Sequence, residues 1–115
     1  MKQTVDLVIK ESQALGASFT TPAISVAPYQ LVSLQIIFDF SGGATSAGDV
    51  SLQSSNDGTN FSTVPSSTLS YTNATTNHII ELQRVGFKYL RLANTDKGAG
   101  GTGGTAKVIA HCTIN

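Results

Sequence analysis

The chain has 115 residues, a formal net charge of +0, 12% charged residues and one cysteine. That length suits one domain with a core of its own, and a single Cys excludes an intrachain disulfide. Neutrality excludes electrostatic capture of nucleic acid or an anionic membrane, which needs clustered Lys and Arg, and no run approaches the ~18 apolar residues of a transmembrane helix.

Thr4 to Lys10 is β-branched and apolar and reads as a first strand. The flank MKQTVDLVIKES carries an acid inside its apolar run. It has neither the continuous apolar stretch nor the cleavage site of a signal peptide. Synthesis in a cytoplasm, with exit by lysis or assembly, is therefore expected. Lys10 to Leu15 is the only stretch that leaves room for a helical turn. Ala17 to Thr21 is a short second strand ended by Pro22, and Ala23 to Val26 a third, stopped by Pro28. Residues 1–30 suit either an extended N-terminal arm or a part of the domain joined by a simple loop.

Leu31 to Phe40, LVSLQIIFDF, has the clearest strand period in the chain. Val32, Leu34, Ile36, Phe38 and Phe40 share the face assigned to the core; Leu31, Ser33, Gln35, Ile37 and Asp39 share the other. Ser41 through Gly48 is a loop. In VSLQSSNDGTNFSTV, Val50, Leu52 and Ser54 alternate with Ser51 and Gln53. Asn56-Asp57-Gly58 then supplies a turn, as a two-residue hairpin loop or a type I turn with a bulge. Phe61 and Val64 carry the return strand.

Pro65 to Asn77 is polar, with isolated Leu69 and Tyr71, and fits either an edge strand or a loop. His78 to Gln83 alternates as a strand. Phe87 to Asn94 is another, with Leu90 and Leu92 facing one way and Tyr89 and Arg91 the other. Asp96 to Gly104 is a Gly-rich loop. It lacks the Lys-Ser/Thr and the following helix of a phosphate-binding loop. Thr105 to Ile114 closes the chain with Ala106, Val108, Ala110, Cys112 and Ile114 in phase, which makes Cys112 a small core residue. Seven to nine short strands with turns between them predict an all-β antiparallel sandwich, jelly-roll-like, as one domain over residues 1–115.

No catalytic, cofactor-binding or metal site emerges, and no cofactor is expected. His111 and Cys112 are adjacent on one strand and point to opposite faces, which removes them as a nucleophile–base pair or as joint metal ligands. His78 lacks ligand spacing to either. Asp39, Asp49, Asp57 and Asp96 fall at strand ends or turns, where Asp bonds the local backbone; loop carboxylates leave a Ca²⁺ site open. Among Tyr29, Phe38, Tyr71, Phe87 and Tyr89, the alternation puts Phe38 in the core. Tyr71 and Tyr89 are then the exposed candidates for stacking on a sugar.

The order of LVSLQIIFDF, a Gly-rich turn, VSLQSSNDGTNF, IELQRVGFKYLRL, a Gly/Thr loop and an alternating final strand resembles a group of small β-sandwich structural proteins of tailed bacteriophages. These are head decoration, auxiliary capsid or fibre-associated proteins. The resemblance covers roughly residues 23–113 and rests on turn and core chemistry. The S-N-D-G-x-N-F turn and K-Y-L-R-L strand also resemble discoidin-type, galactose-binding-like domains. The chain departs from those in length, in lacking their paired cysteines and in having Phe61 where Trp stands.

The resemblance implies a non-enzymatic virion protein, made in the host cytoplasm and placed on the capsid surface. Its partners would be the major capsid protein or other virion proteins, and a homo-oligomer is expected because low charge favours association. The alternatives are a fibre or tail component and a carbohydrate-binding adhesion module meeting a host-surface glycan.

Overall fold

The computed structural model describes residues 3–15, 18–27, 29–40, 47–72, 77–83, 85–96 and 104–114. Ten strands follow in chain order: β1 (Gln3–Ala14), β2 (Phe19–Thr20), β3 (Ile24–Ser25), β4 (Leu31–Asp39), β5 (Gly48–Ser55), β6 (Ser62–Thr63), β7 (Leu69–Tyr71), β8 (Asn77–Gln83), β9 (Tyr89–Asp96) and β10 (Thr105–Ile114). All pairings are antiparallel.

One sheet has the order β1-β10-β4-β8. In the other, β9 and β5 are central, β2 and β3 pair along the free side of β9, and β6 and β7 along the free side of β5. Six of the nine connections between consecutive strands carry the chain from one sheet to the other, as in the jelly-roll arrangement of a sandwich. The count exceeds the expected seven to nine because Leu69–Tyr71, in the stretch read as either an edge strand or a loop, forms a strand of its own. Thr21 bridges β2 and β3 along β9. Its N–H donates to the Leu92 carbonyl at 2.9 Å and its Oγ1 accepts from the Leu92 N–H at 2.9 Å. β9 therefore stays satisfied where Pro22 prevents a continuous strand.

The alternation read in the sequence becomes burial. Val32, Leu34, Ile36 and Phe38 of β4 face Val50, Leu52, Leu90 and Leu92 of the opposite sheet, and all are buried. Ala106, Val108, Ala110 and Cys112 of β10 complete the layer. Phe40 is half-buried and stacks near Phe38. Burial pushes the Cys112 thiol up from its ordinary pKa, with the Asp6 charge adding to the effect. That leaves a neutral, packed side chain.

Three expectations need correction. Lys10 to Leu15 holds no helical turn: β1 runs to Ala14, with register shifts between Val8 and Lys10 and between Lys10 and Gln13. Ile9 is buried in phase with Val5 and Leu7, at the first of the two register shifts. The hairpin loop is wider than two residues, because the first pair beyond it is Ser54–Ser62. Of the two readings of the polar stretch after Pro65, the edge strand is the one formed, by Leu69–Tyr71 on β5. Tyr71 is not an exposed aromatic but one of the largest fully buried side chains. Of the expected loops, Ser41 through Gly48 and Asp96 to Gly104, residues 41–46 and 97–103 lie outside the described residues, while Gly48 belongs to β5 and Asp96 to β9.

Candidate interaction surface

The two sheets bury one face each and differ in what they present outward. On the sheet of β9 and β5, the outward pairs are Asp49–Thr95, Ser51–Ala93, Gln53–Arg91 and Ser55–Tyr89. Polar groups dominate, and they are engaged. The Arg91 Nε donates to Gln53 Oε1 at 2.7 Å, and its guanidinium lies 3.9 Å from the centroid of the Phe61 ring, a cation–π arrangement.

At the end of this sheet, Asp57 organises the loop that the sequence marked as a turn. Its carboxylate accepts from the Thr59 and Asn60 backbone N–H groups, from the Asn60 amide and from the Ser55 hydroxyl, each at 2.8 Å. The Ser55 Oγ in turn accepts from the N–H groups of Asp57 and Gly58. Gly58 takes φ +79°, packing under the Tyr89 ring, which a side chain would resist.

The Asn60 backbone and side-chain donors, then Thr59 and Ser55, hold the Asp57 carboxyl well below the ordinary carboxylate range. A depressed folded-state pKa contributes stability that is complete above the unfolded value and is lost as pH falls below it. In an Asp57→Asn variant that contribution is absent at every pH. The difference in thermal midpoint between wild type and variant is expected to shrink as pH is lowered from about 5 to about 3. A pH-independent difference would show that the carboxylate charge does not hold the loop.

The other outer face, on β1-β10-β4-β8, is different. The register builds cross-strand rows: Asp6–His111–Ser33–Glu81, then Val8–Ile109–Gln35–Ile79, then Lys107–Ile37–Asn77. The middle row is largely apolar. The exposed large hydrophobic residues among those described are Val8 at 52%, Leu31 at 38% and Ile79 at 53%, and all three belong to this face. Polar side chains flank the apolar row, some of them in contact with one another. The Asp6 carboxylate meets His111 Nδ1, and Lys107 Nζ lies 3.0 Å from Glu11 Oε1. A shallow depression opens beside the apolar row, walled by Leu31, Ser33, Glu81, His111 and Thr113. An apolar band with polar flanks suits contact with another protein surface.

The sequence-derived candidates do not converge here. His111 lies on the outer face and Cys112 in the core, as their adjacency required. His78 pairs with Ile36, not with the His111 row. Among the described residues, no group of three or more His, Cys, Asp or Glu could hold a metal ion. Asp49 accepts from the Ser70 hydroxyl at 2.6 Å, tying β5 to β7; Asp39 ends β4 and Asp96 ends β9.

Tyr71 and Tyr89 do not form a platform, because Tyr71 lies between the sheets while Tyr89 covers Gly58 on the outside. Tyr29 and Phe87 are half-buried against the core and Phe38 is buried. What the sequence reading missed was Ile79. Its signal was the pair Ile79-Ile80, which must place one isoleucine outward in a strand of period two. Among the described residues, no helix is long and apolar enough to cross a membrane.

No protein-family model matches this chain, and no curated protein sequence matches it. Solved structures do. The fold is similar to that of the SPBc2 prophage-derived protein YomS, with a TM-score of 0.66 at 8% identity, over 99% of this chain and 96% of that one. A family 11 carbohydrate-binding module from Clostridium thermocellum gives a TM-score of 0.47 at 9% identity, covering 96% of this chain and 82% of the module. At such identities the first likeness establishes a common β-sandwich fold.

Proposed function

We propose that this chain is a non-enzymatic structural protein of a bacteriophage virion. In this reading it is a capsid decoration or auxiliary protein that sits on the head surface and assembles through subunit contacts. The observation that carries the proposal is the fold shared with a prophage-derived protein across nearly the whole of both chains. The low surface charge and the apolar outer face of β1-β10-β4-β8 support it, since both favour burial against another protein surface over steering of a charged ligand. The partners would be the major capsid protein or other virion proteins.

Density-gradient fractionation of a lysate, with this polypeptide quantified in every fraction, tests the reading. Co-migration with particles at a fixed ratio to the major capsid protein is the expected result. A ratio near unity indicates a decoration layer, and a few copies per particle a fibre or tail part. Because few ion pairs are available to screen, raising NaCl to roughly 1 M should leave the protein on the particle. Recovery only in the soluble fractions, or release by moderate salt, would overturn the proposal.

A further inference from the structure

Among the described residues the two sheets have four free edges, and three of them are blunted. β1 is interrupted by two register shifts and carries Lys10 and Glu11. The edge made by β2 and β3 consists of two-residue strands separated around Pro22. The edge made by β6 and β7 consists of two- and three-residue strands separated around Pro65. Bulges, charges, prolines and short strands are the devices that stop one sheet from adding to another.

The fourth edge, β8, has no bulge, proline or break, and its one charged residue is Glu81. Its seven residues, NHIIELQ, contain no Lys, Arg or Pro. They pair with β4 residue for residue from Asn77 to Gln83 without a register shift. Among the described residues, no strand pairs with the other side of β8. In the middle of this edge stands Ile79, 53% exposed.

We infer that β8 is a strand-pairing edge whose occupant is a second copy of this chain, aligned antiparallel about a two-fold axis at Ile79. The choice of occupant follows from the strand's own residues. Antiparallel pairing about an axis normal to the sheet keeps outward residues opposite outward residues. Centred on Ile79, it sets that side chain against Ile79 of the second copy and Glu81 against Asn77 of the second copy. The two isoleucines remove each other from water, and the Asn77 amide can donate to the Glu81 carboxylate.

A register slipped by two residues would centre on Ile80 and set Ile79 against the Glu81 carboxylate of the second copy, and one slipped by four would centre on Glu81 and oppose two carboxylates; both are disfavoured. The pairing is isologous, so it closes at two copies. It also continues the outer apolar row Val8–Ile109–Gln35–Ile79 across an eight-stranded sheet. This inference rests on the subunit association in the proposed function, but not on attachment to a particle.

The test is the mass of the purified full chain in solution by sedimentation, up to roughly 0.1 mM. The wild type is expected to form a two-chain species. Ile79→Lys adds an edge lysine at an exposed position and is expected to weaken that association at least about tenfold, with an unchanged circular dichroism spectrum. Val8→Lys changes an equally exposed residue on the same face but away from β8, and is expected to leave the dimer intact. A wild type that stays monomeric would overturn the inference. So would a dimer that survives Ile79→Lys, or one lost equally in Val8→Lys, which would indicate face-to-face packing. Particle co-migration is a separate readout, so failure of the dimer and failure of the virion reading are distinguishable.

Discussion

Replacement of Tyr71 by Ala is expected to destabilise the fold by about 3–5 kcal/mol, the usual cost of deleting a buried large aromatic ring. Tyr71 is 1% exposed. Its ring stacks on Phe38 at a centroid distance of 5.0 Å and near Phe40 at 6.5 Å, both at interplanar angles of 27°. Its hydroxyl donates to Asn94 Oδ1 at 2.8 Å, between β7 and β9. The side chain therefore joins the end of one sheet to aromatic residues of the other.

Tyr71→Phe keeps the ring and removes only the hydroxyl donor to a buried acceptor, and is expected to cost about 1–2 kcal/mol. A denaturant titration of both variants separates the two contributions. Domains of this size are stable by about 5–15 kcal/mol, so the Ala variant should lose a large part of its folded margin. An unchanged midpoint in Tyr71→Ala would mean that the aromatic cluster does not form.

The second large effect is expected at Gly104, where the constraint is space and not conformation. A Cβ there would stand 2.1 Å from the Asp39 carbonyl oxygen, 3.0 Å from the Asp39 carbonyl carbon and 2.9 Å from the Phe40 ring. Neither side can yield easily. Asp39 is held in register opposite Thr105, and the Gly104 carbonyl accepts from the Leu15 N–H at 2.9 Å. Relief requires separating β10 from β4 or from the end of β1.

Gly104→Ala is expected to cost about 3 kcal/mol or more, at the upper end of overpacking substitutions. Gly86→Ala is the control, since nothing lies within 4 Å of a Cβ at that position. It should change stability by no more than about 0.5 kcal/mol. Equal midpoints for the two variants in thermal unfolding would contradict this account.

Local chemistry made much of the architecture legible. A strand alternates faces with period two, so the alternation in Leu31–Asp39 and Thr105–Ile114 already named the core side chains that the structure buries. The adjacency of His111 and Cys112 similarly required opposite faces. Asp57-Gly58 announced a turn because one residue accepts from the following N–H groups and the other tolerates positive φ. Each of these properties depends on residues within a few positions of one another.

Tertiary structure decided what depends on distant partners. Tyr71 sits in a polar stretch with no period to report its burial; only the pairing of β7 with β5 carries it between the sheets. The bulges in β1 after Val8 and after Lys10 arise in its pairing with β10, at the far end of the chain. The exposure of Ile79 and the open edge of β8 follow from a strand order that brings β4 to one side of β8 and leaves the other without a paired strand among the described residues. A strand's own residues give its period and its two faces. Whether it ends up central or at an edge is set by non-local hydrogen bonding, which no local pattern encodes.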